Sequence, residues 1–375
     1  MIKPFLSLFS RDNRYNLYSR ILSLFRDPQK GERRIIQKYR TQPLPKDRQL
    51  KFFFVVKNVN WEHSGLVQTW KGMVEEYHFS WKTEYDQKSP EWWSSQRKLF
   101  NQDLVAQVSK ARHEHGIDVV FSYLSGSYLD AETLISLKNL GITLVNVSFD
   151  DSHAFWGAKR AGVFRGQAEL CCHFDINITL QRREDVFKYE MTGGDAIFLY
   201  PGGNQLLWGN MEMRAKRDIP ISFIGKKYGR RGEIVDYILE NNIPITTGGI
   251  GFGKPLSQEE MKNVYGRSLM TLGVGYNGNT KKTALKGRDF EVPLTGCAYL
   301  TTFNRELASC FEEGKEILFY HNKKDLVKKI QYYRNREEEC VEIGRRGQTK
   351  AQNQHTWGKR WEYLLQILTG KVIFD

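Results

Sequence analysis

Short apolar runs recur along this chain, separated by longer stretches whose apolar positions are spaced three and four apart. The short runs have the composition of buried parallel strands, and the longer stretches that of helices lying on them. In the first half this pattern predicts strands over 50–56, 119–123, 143–147, 176–179 and 196–199. Helices are predicted to begin in 66–73, to span 99–115, 131–140 and 183–191, and to pass through Cys171. Pro201-Gly202-Gly203 interrupts the alternation. It resumes with strands over 219–224, 243–246, 269–273, 298–301 and 316–318. The helices of this half fall over 231–241, 258–265, part of 285–294, 325–335, 340–355 and 357–368. Such alternation predicts two α/β domains with mostly parallel sheets covered on both faces, meeting near residue 205.

The N-terminal 40 residues break the pattern. They read as one or two helices in which Phe5, Leu6 and Phe9, then Tyr18, Ile21, Leu22, Leu24 and Phe25, alternate with arginines. Residues 41–48, with Pro43 and Pro45, read as a linker. The chain carries a net charge of +13. Residues 1–50 hold twelve Lys/Arg and four Asp/Glu, a net of +8. A field of that sign attracts phosphates, nucleic acid or acidic lipid without choosing among them. Two readings of the helices follow: an amphipathic anchor on an anionic membrane surface, or a helix packed on the body with its charges in water. No nucleic-acid-binding motif accompanies the charge, so nucleic acid is not expected as a partner.

Apolar residues make up 40% of the 375, enough for substantial cores. No window approaches the roughly eighteen apolar residues of a membrane span. The start lacks the small-residue cleavage pattern of a signal peptide. The five cysteines, Cys171, Cys172, Cys297, Cys310 and Cys340, have no zinc spacing and read as free thiols. The adjacent pair is expected to be buried in a helix. A cytoplasmic protein is expected, with peripheral attachment to the inner face of the plasma membrane if the N-terminal helices bind lipid.

The densest chemistry lies at Lys286-Gly287-Arg288-Asp289-Phe290-Glu291, ahead of Gly296 and a short apolar strand. Cations there suit phosphate oxygens, an Arg being a rigid fork for them. A carboxylate suits a ribose diol. As i, i+3 neighbours on a helix, Arg288 and Glu291 could instead form a surface salt bridge of little worth. The loop Gly248-Gly249-Ile250-Gly251-Phe252-Gly253 follows a predicted strand, and exposed N–H groups in it could cradle phosphate. It lacks the Gly-Lys-Ser/Thr of a Walker loop and the acidic partner of a dinucleotide fingerprint. The first strand carries no G-x-G-x-x-G, which excludes a dehydrogenase of the usual kind.

These features occur in order with Ile221-Ser-Phe-Ile-Gly225, Gly266-Arg-Ser268, Pro293, Leu300-Thr301, Glu306, residues 312–320, residues 325–330 and His355-Thr-Trp357 near Arg360. Over roughly 219–368 the chain resembles the spore-maturation-protein-like (CgeB-like) glycosyltransferases. The resemblance implies the GT-B fold: two Rossmann-like domains facing across a cleft. Residues 1–48 would be a basic extension, 49–205 an acceptor domain, and 206–375 a nucleotide-sugar domain ending in a crossover helix. It implies transfer of a sugar from a nucleotide-sugar donor to a glycan, lipid-linked or other surface-polymer acceptor. The donor would be a co-substrate, with no tightly bound cofactor and no essential metal. The donor-binding set would be Lys286, Arg288, Glu291, Gly249, Gly251, Thr302 and Glu306. Glu291 resembles the ribose ligand of retaining GT-B enzymes. Eight residues earlier stands Thr283, where those enzymes carry a second Glu. That departure leaves inversion and retention open, and it supports an alternative: a nucleotide-sugar-binding protein of the same fold without transfer activity.

An inverting transfer needs a base within reach of the acceptor hydroxyl. After the first strand come Asn58, Asn60, Trp61, His63, Ser64 and Gly65, and past the strand ending at Val147 comes Phe149-Asp150-Asp151-Ser152-His153. Asp150, Asp151, His153 and His63 are the candidate bases. Helix capping by either Asp is the competing reading. His355, near the chain's end, reads as a structural cap.

Overall fold

The computed structural model describes residues 10–57, 62–209, 211 and 217–372. Asn58, Asn60 and Trp61, and the apolar stretch 4–9, lie outside them. The chain divides into two compact units. One runs to Leu199 and resumes at Trp361, and the other is Tyr200–Arg360. The sequence pattern sets 1–48 apart and divides the rest at 205, while compactness divides the chain at Tyr200 and groups the N-terminal helices with the first unit.

The first unit opens with helices α1 (Arg11–Leu22) and α2 (Lys30–Thr41). There follow β1 (Lys51–Val55), β2 (Glu75–His78), α3 (Arg97–His115), β3 (Val119–Ser122), α4 (Ala131–Asn139) and β4 (Thr143–Ser148). Next come α5 (Asp151–Ala154), the hairpin β5 (Lys159–Arg160) and β6 (Val163–Phe164), β7 (Ile176–Thr179), α6 (Val186–Met191) and β8 (Ala196–Phe198). Six strands form one parallel sheet in the order β2-β1-β3-β4-β7-β8. Alternate residues of β1 serve opposite faces, as a pleated strand requires. Phe53 and Val55 join Phe100, Leu104 and Leu134 in one core. Phe52 and Phe54 pack with Phe121 and Trp70. Trp70 in turn stacks on Trp361 of the last helix, 4.8 Å between ring centroids and 11° apart in plane. Trp361 Nε1 also donates to Thr69 Oγ1 at 2.8 Å. Removing so large a buried ring would cost about 3–5 kcal/mol, which fixes the chain's end to this unit.

The second unit holds α7 (Gln205–Trp208), β9 (Ile219–Ile224), α8 (Arg231–Glu240), β10 (Thr246–Gly248), α9 (Gln258–Arg267) and β11 (Ser268–Leu272). It continues through α10 (Arg288–Leu294), β12 (Ala298–Thr302), α11 (Arg305–Ala308), β13 (Leu318–Tyr320), α12 (Lys323–Tyr333) and α13 (Glu337–Gln354). The last helix, α14 (Trp357–Leu368), leaves this unit at Arg360. The sheet order is β10-β9-β11-β12-β13, again all parallel. Its core is built from Ile221, Phe223, Leu272, Leu300 and Leu326.

Both sheets therefore have the doubly wound order in which the chain moves outward from β1 or β9 in one direction and then the other. Ligands bind such sheets at the carboxyl ends of the strands flanking that reversal. Those ends are β1 and β3 in the first unit, and β9 and β11 in the second.

The structure departs from the predicted elements in several places. β2 has no counterpart in the prediction. It is an edge strand, Glu75-Glu76-Tyr77-His78, bonded to β1 alone, and its charged residues suit an unpaired edge. Short turns over Glu62–Val67 and Gln68–Trp70 replace the helix expected to begin in 66–73. The helix expected through Cys171 is a single turn, Cys171–His173, with Cys171 buried and Cys172 exposed. β10 and β13 start later than expected, at Thr246 and Leu318.

Candidate functional site

In the second unit the Lys286–Glu291 segment enters α10. Asp289 is buried and holds the turn. It accepts from the Lys286 backbone N–H at 2.7 Å and from the Tyr299 hydroxyl at 2.7 Å. Lys286 Nζ donates to Asn277 Oδ1 at 2.6 Å. That frame leaves Arg288 directed at the end of β9. Its guanidinium carbon lies 5.2 Å from the Phe223 ring centroid. A Cβ on Gly225 would stand 2.6 Å from Arg288 Nη2. Only a glycine admits the guanidinium here.

Arg288 Nη1 is buried and has no hydrogen-bond partner among the described residues. Arg288 and Glu291 form no ion pair with each other, so the surface salt bridge is not what the segment builds. Burial pushes the Glu291 carboxyl up, and the Arg288 guanidinium pulls it part of the way back. Arg231, at the start of α8, was not among the predicted residues. It donates to the Lys226 carbonyl at 3.2 Å. Burial, and then repulsion by Arg288, lower it to about 10. Two arginines close enough to repel, with one Nη buried and unpartnered, are an arrangement that can receive an anion. The signal for Arg231 was its place one short loop beyond the end of β9, where a switch-point ligand would lie.

The glycine loop after β10 packs against this region. Gly249 and Gly251 have φ of 111° and 85°. A Cβ on Gly249 would lie 2.6 Å from the Gly225 carbonyl oxygen. The N–H groups of Gly225, Lys227 and Gly249 donate within the protein, to Gly248, Ile250 and Lys254. The loop thus lines the region by close backbone approach, and these N–H groups are already used. Thr302 is buried, with Oγ1 donating to the Tyr320 hydroxyl at 2.9 Å and accepting from Gly275 N–H at 3.2 Å. Glu306 lies half-buried on α11. Thr283 Oγ1 accepts from Asn304 Nδ2 at 3.4 Å.

In the first unit the loops after β1, β3 and β4 enclose a cavity of about 460 Å³. Lys57, Glu62, Tyr123, Tyr128, Asp150 and Arg165 are among its walls. The Tyr128 hydroxyl is buried there without a hydrogen-bond partner among the described residues. Glu62 immediately precedes the predicted His63 and was missed. Burial raises its carboxyl to about 7, with Lys57 opposing the shift. A carboxylate followed by a glycine turn after a switch-point strand was the available signal. Tyr123 is raised by burial, and then by the charges of Asp150 and Glu62, which places both carboxylates near it.

The four predicted bases separate in the structure. Asp150 is exposed on the cavity wall, and His153 Nε2 stands 3.7 Å from its Oδ1. Asp151 points inward and is fully buried. It accepts from Ser148 Oγ at 2.7 Å and from the Tyr189 hydroxyl at 2.8 Å. Burial and nearby Asp185 raise it to about 6. His63 is half-buried in the turn after Glu62 and is not part of the cavity wall. His355 follows α13, its Nε2 3.2 Å from the Cys310 carbonyl oxygen and its Nδ1 3.1 Å from Arg360. Among the described residues no three His, Cys, Asp or Glu side chains gather as a metal site would.

Comparison with known proteins bears on the fold. Residues 210–366 match the family model described as glycosyl transferase-like. No curated protein matches the chain in sequence. Among solved structures, a glycosyltransferase from Rickettsia africae is similar with a TM-score of 0.56 and 9% identity, over 86% of this chain and 99% of that one. HepE from Anabaena, solved with UDP and glucose, gives 0.53 and 10% over 85% and 100%. Sucrose-phosphate synthase from Thermosynechococcus elongatus gives 0.54 and 12% over 86% and 99%. The fold is the GT-B type.

Proposed function

We propose that this chain is a nucleotide-sugar-dependent glycosyltransferase of the CgeB-like kind, acting on a glycan or lipid-linked acceptor. The observation that carries the reading is the unpaired Arg288 at the end of β9, beside Arg231 and Glu291. A half-buried guanidinium with one buried nitrogen left unpartnered is costly unless a ligand anion completes it. The donor's diphosphate has the charge and the reach to do so, and Glu291 would accept from its ribose hydroxyls.

The chemistry follows from where charge develops. As the bond between the sugar's anomeric carbon and the phosphate oxygen breaks, the electron pair stays on that oxygen. Arg288 and Arg231, fixed beforehand, stabilise it. The acceptor hydroxyl forms the new bond to the anomeric carbon and gives its proton to a base. Glu62 is the base we assign, because a carboxylate near 7 is matched to proton transfer at neutral pH. Tyr128, Arg165 and Asp150 of the same cavity would hold the acceptor's remaining groups.

A binding protein without transfer activity is the second reading, favoured by Thr283 where retaining enzymes carry Glu. One experiment addresses both. UDP-, GDP-, ADP-, CMP- and dTDP-sugars are offered with acceptor glycans, and release of free nucleotide is followed. Turnover lost in Arg288→Ala supports the transferase. Saturable binding without turnover supports the second reading, and no binding of any donor contradicts both.

A further inference from the structure

Helix α1 is seated with its usual polarity reversed. The side facing the protein is largely polar. Asp12 accepts from the backbone N–H groups of Trp156 at 2.8 Å and Gly157 at 3.1 Å. Asn16 is buried and accepts from Arg182 at 2.7 Å, and Ser19 is fully buried. Tyr15 and Leu22 complete this side against the core around Phe155 and Tyr189. Arg11 lies 4.7 Å from the Trp156 ring centroid. These bonds fix the helix's rotation. The apolar residues that would normally turn inward face out.

Leu17, Tyr18 and Ile21 are exposed to 45%, 37% and 45%, and Leu24 and Phe25, in the turn that follows, to 76% and 82%. Arg14, Leu17, Tyr18 and Ile21 share one face of α1, and Leu24 and Phe25 follow it in the turn. Arg14, Arg20 and Arg26 flank it, Arg20 standing 3.9 Å from Glu184 and Arg26 3.2 Å from Glu190 at exposed positions, in a chain of net charge +13. Soluble surfaces scatter apolar residues singly. A contiguous stripe with a cationic border marks a surface that meets something.

We propose that this face of α1 and its following turn docks on an anionic lipid bilayer, inserting Leu24 and Phe25 beneath the headgroups while the arginines contact lipid phosphates. Charge decides the occupant. A second copy of the chain would present the same positive field, so self-association through this face would set like charges together. A bilayer rich in acidic lipid supplies the opposite charge and an apolar layer at the depth such side chains reach. No described helix is long and apolar enough to cross the membrane, so the attachment is peripheral. The proposal is independent of the transferase reading, and vesicle binding needs no donor or acceptor.

The test is co-sedimentation of the full chain with phosphatidylglycerol-containing vesicles and with pure phosphatidylcholine vesicles. Wild type is expected to bind the anionic vesicles, to release as salt rises, and to ignore the neutral ones. Leu24→Asp/Phe25→Asp removes only exposed side chains, and an unchanged melting temperature would verify its fold. It is expected to weaken binding at least about tenfold. Arg14→Gln and Arg20→Gln are each expected to weaken it by about fivefold. Failure of wild type to bind, or equal binding by the double Asp variant, would overturn the proposal. So would binding seen only after deletion of residues 1–9, or concentration-dependent dimerisation through this face without vesicle binding.

Discussion

Two charge clusters in this protein, one buried and one half-buried, are treated in opposite ways. Beneath α5, Asp185 takes Lys188 at 2.7 Å and Arg182 at 3.2 Å. Lys188 also donates to the Asp151 carbonyl, while Ser148 and Tyr189 hold the Asp151 carboxylate. Each charged side chain of that network has an ion-pair or hydrogen-bond partner, although Asp185 Oδ2 and Arg182 Nε are buried without one among the described residues. At the end of β9, Arg288 and Arg231 repel each other, one Arg288 nitrogen is buried alone, and Glu291 stands near without pairing. Breaking a buried pair typically costs 3–5 kcal/mol, so leaving charges unpaired is not a neutral choice. The paired cluster holds the loop carrying Asp150. The other leaves its positive charge open to an anion, as the proposed function requires.

The sharpest break in that contrast is Arg288→Ala. It should lower kcat/KM about 10²- to 10³-fold while changing the thermal midpoint little, because the guanidinium's contacts in the free protein are the Phe223 ring and its pull on Glu291 rather than an ion pair. Steady-state kinetics beside a melting curve checks both halves. A large loss of stability would mean Arg288 is scaffold after all.

Glu62→Gln should cost about 10²-fold in kcat. A base must be deprotonated, so wild-type rate should rise with pH through about 7, the raised position of the Glu62 carboxyl. That acidic limb should vanish in the variant. A pH–rate profile with the limb intact would transfer the role to Asp150.

Glu291→Gln should raise the KM for the donor about tenfold with kcat little changed, as expected for a group that binds ribose in ground and transition states alike. Equal loss in kcat would mean a role nearer the reacting bond.

The smallest effect belongs to the paired cluster. Asp151→Asn should keep activity within about threefold, since the wild-type carboxylate is spent on Ser148 and Tyr189. Its carboxyl is raised in the fold to about 6. The folded state therefore binds the proton more tightly than the unfolded one. This group's contribution to stability falls as pH rises from about 4 to about 6, and Asn should flatten that slope in denaturation measured across the interval.

Much of this was legible in sequence because the buried parallel strands are continuous apolar runs. Phe52–Val55, Ile221–Ile224 and Ala298–Thr302 identify themselves. β2 does not, because an edge strand bonded on one side carries charge where a central strand carries valine. Arg288 and Glu291 were visible as residues, yet only the fold shows that i, i+3 spacing does not join them and that Gly225 makes room for the guanidinium. Arg231 and Glu62 were missed for one reason. Each matters because of the strand end it follows, and a strand end becomes a site only once the sheet order reveals its reversal. The outward apolar face of α1 was equally ambiguous, since its spacing is the same whether it faces core or lipid. The buried Asn16 and Ser19 decide the direction.

The most direct test of the central claim is calorimetric titration of UDP, GDP, ADP, CDP and dTDP into wild type, Arg288→Ala and Glu291→Gln. The account predicts that one nucleoside diphosphate binds wild type, that Arg288→Ala weakens it about tenfold to a hundredfold, and that Glu291→Gln weakens it less. Equal affinity in all three proteins, or no binding of any diphosphate to wild type, would contradict it.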